Sequence, residues 1–238
     1  MNRIFILIPL FLLLLACRQD AVVVSPTAGF LLSISHQVDG KPLLFDTLAY
    51  QNAAGEKYSV SRLQYYLSGI RFYAQGKLLF YSDTILYVDA TQSASLRWTN
   101  IPIAHYDSIS YLIGIDSTHN VHDKLWPTMQ NVAMEWPQTM GGGYHFLKLE
   151  GHWQDVSSLS GFAAHLGTNP YLVHGNLSCS LDARAGIDLK INFVMNVNEW
   201  FTHPFIFSFN SDGVYTMGNA KLMQKLAENG ADVFSIVP

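Results

Sequence analysis

Nine histidines stand against fourteen Lys plus Arg in this 238-residue chain, so imidazole is a large share of its polar functional groups. His36 falls among Phe30, Leu32, Ile34 and Val38 on the apolar face of an alternating run. A neutral ring there needs a partner for each nitrogen, which a metal, a carboxylate or a backbone carbonyl supplies. Taken alone, it reads as a satisfied core histidine. His165 is out of phase with Phe162 and Leu166 and precedes a loop rich in Gly, Asn and Pro, so taken alone it reads as a solvent-facing side chain. The stretch 117–143 gathers His119, His122, Trp126, Met129, Met134, Trp136 and Met140. His119 and His122 are three apart, but no second pair, HExxH or CxxC completes a zinc signature. Asp116, Asn120 and Asp123 offer oxygen ligands for calcium, without the glycine and terminal glutamate of an EF-hand. Thioether together with imidazole selects copper over hard cations. With no GxSxG elbow and no phosphate-cradling glycine loop, the expectation is a binding protein and not an enzyme.

Composition narrows the setting. Charged residues are 13% of the chain, roughly half the ~25% usual for a soluble protein, while apolar residues reach 49%, which excludes a disordered chain. A net charge of -4 with Lys and Arg scattered singly leaves no footprint for a phosphate backbone, so no nucleic-acid partner is expected. Residues 1–16, MNRIFILIPLFLLLLA, have the basic start and apolar run of a secretory signal. The following Leu14-Leu15-Ala16-Cys17 resembles the bacterial lipobox, which implies cleavage before Cys17, its lipidation, and anchoring in a bacterial outer membrane, facing periplasm or cell surface. Residues 17–29 then form a tether, and residues 30–238 a single domain. With Cys17 lipidated, Cys179 has no disulfide partner and reads as a small buried hydrophobe between Leu177 and Leu181.

The elements that must position these residues follow period two. Alternation predicts strands over residues 30–38, 58–73, 78–81, 85–88, 109–115, 144–153, 162–166, 172–181, 187–195 and 205–209, with a hairpin turn at Ala74-Gln75-Gly76-Lys77. Helical signals are confined to a turn at 196–201 and a short helix at 219–228, capped by Asn219 and Gly230. Many short strands with turn signals between them indicate an all-β antiparallel sandwich with a long irregular loop and a short C-terminal helix. The stretch 117–143 is longer than a compact domain leaves unstructured without a functional reason.

Several pieces of sequence resemble the MbnP-like copper-binding protein family. They are Met134-Glu135-Trp136, the run from Met140 through Gly141-Gly142-Gly143-Tyr144-His145-Phe146-Leu147-Lys148-Leu149-Glu150-Gly151, and His165-Leu166-Gly167. Val38-Asp39-Gly40-Lys41-Pro42-Leu43, Tyr65-Tyr66-Leu67-Ser68-Gly69-Ile70, Gly114-Ile115-Asp116-Ser117 and the ending from Ala227 to Phe234 also fit, and GY-x-F-x-KLEG is the most specific piece. The resemblance implies an exported β-sandwich that binds copper through two histidines near a tryptophan, which a partner diheme peroxidase resembling MauG oxidises to kynurenine. Carried over, it points to His36 and His165 as ligands and Trp136 as the modified residue. The family's usual second tryptophan is missing after Trp136, which puts the modification in question. His145 adds an imidazole, and Met134 and Met140 add soft donors that favour Cu(I). The competing expectation is a surface-exposed ligand- or carbohydrate-binding module using Trp98, Trp126 and Trp136 as aromatic platforms, with no metal role.

Overall fold

A computed structural model of the protein describes residues 26–237. The signal segment, Cys17 and most of the expected tether lie outside these residues. Its last positions do not: β1 (Thr27–Val38) starts inside the segment expected as tether, and Ala28 is already buried.

Thirteen strands follow in chain order: β1, β2 (Lys41–Pro42), β3 (Tyr50–Gln51), β4 (Lys57–Ala74), β5 (Lys77–Tyr81), β6 (Leu86–Asp89), β7 (Ala94–Pro102), β8 (His105–Ile113), β9 (His145–Gln154), β10 (Leu159–Gly167), β11 (Val173–Asp182), β12 (Asp188–Asn196) and β13 (Phe234–Val237). One sheet runs β13-β12-β1-β2, with β7 also on β1. The other runs β10-β9-β4-β8-β11, with β3, β5 and β6 also pairing the long β4. The two sheets meet through their inward side chains: Phe30 of β1 packs edge-on against Phe72 of β4 at 4.6 Å between ring centres, and Tyr111 of β8 lies 5.7 Å from Phe193 of β12. This is the expected all-β sandwich. One pairing departs from a purely antiparallel layout, because β1 and β12 run parallel from Gly29–Asp188 to Gln37–Asn196.

Two helices interrupt the strands, α1 (Met129–Ala133) within the long loop and α2 (Ala220–Asn229) near the end. Asn219 caps α2 by accepting from the Leu222 N–H, as its position before the apolar run predicts. Four strands lie outside the expected ranges: the two-residue β2 and β3, the four-residue β13, and β7, where Ala94, Leu96 and Trp98 are only half-buried against exposed neighbours.

The strand expected at 205–209 is not one. Its alternation does bury Phe207 and Phe209, and Phe209 stacks on Phe162 with ring centres 4.5 Å apart. Its backbone donors, however, find no neighbouring strand: the Phe205 N–H goes to Asn229 Oδ1, the Phe207 N–H to Phe201 O and the Ser208 N–H to Asp212 Oδ2. The Glu56 carboxylate accepts from the Phe209 N–H at 2.8 Å, the Asn210 N–H at 2.9 Å and the Ser208 hydroxyl at 2.9 Å, and these bonds hold its pKa below the usual carboxylate value against the opposing effect of burial. Removing such an acceptor leaves donors unpaired at about 1–3 kcal/mol each. Glu56→Ala is therefore expected to lower stability by roughly 2 kcal/mol or more, read as a lower thermal midpoint with faster amide exchange confined first to residues 208–210.

Candidate metal centre

The site is built where the long loop returns to the second sheet. Residues 134–136 and 143–145 form a short antiparallel rung: the Trp136 N–H donates to Gly143 O at 2.8 Å, the His145 N–H to Met134 O at 2.6 Å, and Glu135 bridges Tyr144. This rung sets Trp136 beside His145, with ring centres 4.7 Å apart at 60°. Positive φ at Gly141, Gly142 and Gly143 makes the reversal that brings the two halves together.

A bulge then brings in the second imidazole. Along β9 and β10, His165 pairs with Lys148 and Leu166 with Leu147, but Gly167 pairs with His145, so β9 carries one extra residue. The extra residue resets the pleat, and His145 reaches the outer face that His165 occupies. Their rings meet at 5.1 Å, nearly perpendicular at 87°. Gly167 also makes room for the indole, since a β-carbon there would stand 2.2 Å from Trp136 Cε3.

Each ring is fixed in one tautomer. Met134 O can only accept, so His145 Nδ1 carries the proton in their 3.1 Å bond and Nε2 keeps its lone pair. His165 Nε2 lies 2.9 Å from Glu150 Oε1, and Arg62 holds the same oxygen at 3.0 Å. The bond from His165 is the main cause of a Glu150 pKa below the ordinary value, so the carboxylate is ionised and accepts from Nε2, and Nδ1 is the ring nitrogen left for another partner. Burial pushes the pKa of His145 down to about 3, aided by nearby Lys148 and His165. The ring is therefore neutral at physiological pH. The Thr216 hydroxyl closes the edge of β10 by donating to His165 O at 2.6 Å and accepting from the His165 N–H at 2.7 Å.

The structure brings together His145, His165 and Trp136, but not His36. His36 Nε2 is hydrogen-bonded to the Tyr65 hydroxyl at 3.0 Å. Tyr65 is fully buried and pairs with Leu147, an inward residue, whereas His165 pairs with Lys148 on the outer face. The sheet itself separates the two imidazoles expected to converge. Met134 and Met140 enter the site through their carbonyls, the first to His145 and the second to the Trp136 indole N–H at 3.1 Å. Of the three platform tryptophans, Trp98 packs on Phe30 and Trp136 is 2% exposed, which leaves Trp126 at 81%. The Asp116 carboxylate, expected as a calcium ligand, accepts from Thr118 and His119 of its own turn, and Asn120 Oδ1 accepts from the Tyr144 N–H. Cys179 is half-buried, and burial raises its thiol pKa to about 11.

Glu150, Lys148, Arg62, Thr216 and Gly167 were not singled out from sequence as site residues. Lys148 and Glu150 do lie in the KLEG piece of the motif, but their role depends on strand register. A family model of MbnP matches residues 27–217. The fold is similar to the solved structure of MbnP from Methylosinus trichosporium at 12% identity, covering 88% of this chain and 98% of that one, with a TM-score of 0.52. No curated protein matches.

Two outcomes follow. Gly167→Ala forces the indole away from His145 and is expected to cost about 1–3 kcal/mol through overpacking, with a changed near-ultraviolet circular dichroism band from displaced tryptophan. Burial lowers the pKa of His36 to about 4, only partly opposed by Asp89. In the unfolded chain the ring protonates near about 6.5, so the unfolded state takes up the proton first and stability falls as pH drops from there toward 4. His36→Gln removes that part of the slope in denaturation midpoints measured across this range.

Proposed function

This chain belongs to the MbnP family, and from that premise we propose that it binds copper through His145 and His165, for acquisition, storage or delivery and without turnover of its own. The observation that carries the reading is the pair of outer partners: one imidazole donates to a backbone carbonyl and the other to a carboxylate, each leaving one lone pair free. Those are the partners that orient metal-bound histidines and raise their basicity. The donor set fits the metal. Two imidazoles, one of them against the Trp136 indole, suit a soft monovalent ion that accepts few ligands.

Bound copper would supply charge and redox chemistry; the residues of the chain hold it. Met134 O and Glu150 fix the two rings, Thr216 fixes the strand that carries His165, and Trp136 keeps water from His145. The signal segment and Cys17 extend the proposal to an exported, lipid-anchored protein of the bacterial outer membrane. Trp136 is the residue on which a diheme, MauG-like partner would act. Its indole is 2% exposed, so oxidation there would proceed by electron transfer through the protein and not by direct contact.

Anaerobic loading of chelator-washed protein with Cu(I) is expected to give one equivalent, lost in His145→Ala and in His165→Ala and kept in His36→Ala. Unchanged stoichiometry in both of the first two variants overturns the site. A second reading, a carbohydrate-binding module, is favoured by one feature: an open groove of about 500 Å³ lined by Tyr87, Asp89, Gln92 and Asn131, with Trp126 on its wall. Absence of copper uptake together with glycan binding lost in Trp126→Ala would select it.

A further inference from the structure

On the outside of the same loop, His122, Asp123 and Glu135 each offer one ligand atom, and the three atoms lie within 4.8 Å of one another. His122 Nε2 is 3.2 Å from Asp123 Oδ2. Among the described residues the Glu135 carboxylate has no hydrogen bond or ion pair, and the second carboxylate meets only the His122 imidazole. Like charges held this close favour a cation between them.

The backbone beneath the grouping is tied together. Glu135 is set by its bridge to Tyr144, and the segment following Asp123 is tied to the same residue, because the Leu125 N–H donates to the Tyr144 hydroxyl at 2.9 Å. Two turns separated in sequence thus converge on one tyrosine. Asp123 and Glu135 also border a common cavity of about 130 Å³, with Asn131 and Tyr144 on its walls. The space between the carboxylates is open to an ion and its water.

We propose that His122, Asp123 and Glu135 form a second, peripheral site for a divalent cation of the zinc class. One imidazole and two carboxylates match the nitrogen and oxygen donors that zinc accepts at about 2.0–2.2 Å, with water completing the shell. Small rotations of these exposed side chains close the remaining distance. The set is too hard for Cu(I), and it supplies too few oxygens for calcium, which takes 6–8. A cation here pins the turn at 122–123 to the residue next to Trp136, and so steadies the loop that covers His145. The proposal is independent of the copper reading, since it shares no ligand with that site.

The test is Zn2+ titration of the chelator-washed full chain by equilibrium dialysis, compared with Glu135→Gln and His122→Ala. Both changes are at the surface and leave the core packing untouched. The two variants are each expected to bind one equivalent fewer than the parent, or to bind the same equivalent at least tenfold more weakly. Zinc is also expected to slow amide exchange across residues 117–136 in the parent and not in Glu135→Gln. Zn2+ held elsewhere, including at His145 and His165, would remain in both variants. Identical stoichiometry and affinity in all three proteins overturns the proposal, as does binding of Ca2+ in place of Zn2+.

Discussion

At Gly167 a β-carbon would stand 2.2 Å from the Trp136 indole, and this close approach orders the chemistry around it. The indole can lie on bare backbone only because the strand offers no side chain there. Once seated, it lies against His145 and aims its own N–H at Met140 O, which ties down the glycine turn. The bulge that places Gly167 opposite His145 is the same irregularity that turns His145 outward to meet His165. A single small residue thus serves packing, strand register and the meeting of two imidazoles.

Much of the fold was legible in the sequence, because alternation is a direct projection of which side of a sheet is dry. β1, the β4–β5 hairpin, β9, β10 and β12 all lie where the pattern puts them, to within a few residues. The 205–209 segment shows where that logic stops: burying alternate phenylalanines requires an extended chain but not a neighbouring strand, and the side chains of Asn229, Asp212 and Glu56 took the N–H groups of Phe205, Ser208 and Phe209 instead. The relation between His36 and His165 was also present in the pattern, since one was in phase with its apolar neighbours and the other out of phase. Phase alone gives opposite faces. Pairing them as ligands required a convergence that an intervening sheet prevents. His145 could not be placed from its own strand, because the bulge that redirects it is a property of two strands in register.

The nine histidines separate by environment. His105, His119 and His203 each meet an aspartate at the surface, an arrangement that gains little in water. Burial instead holds His36 and His145 neutral, one against a tyrosine hydroxyl and the other against a carbonyl. A neutral imidazole with one fixed proton is a directional lone pair. What distinguishes the two buried rings is therefore not their chemistry but the company they keep: His36 faces the Tyr65 hydroxyl, whereas His145 faces the ring of His165.

The parallel pairing of β1 with β12 has a consequence for how the chain assembles. The first strand cannot complete its sheet until residues 188–196 exist beside it, and β13 adds to β12 only at residues 234–237. In a chain that emerges from its N-terminus, β1 must wait, with one edge unpaired, through the making of almost the whole second sheet. Such long-range closure slows folding and leaves an open strand edge in the meantime. The second sheet, whose strands run from β3 to β11 with only β7 of the first sheet between them, has no such delay. It is also the sheet that carries His145 and His165, so their pairing can take shape while the sandwich is still half built.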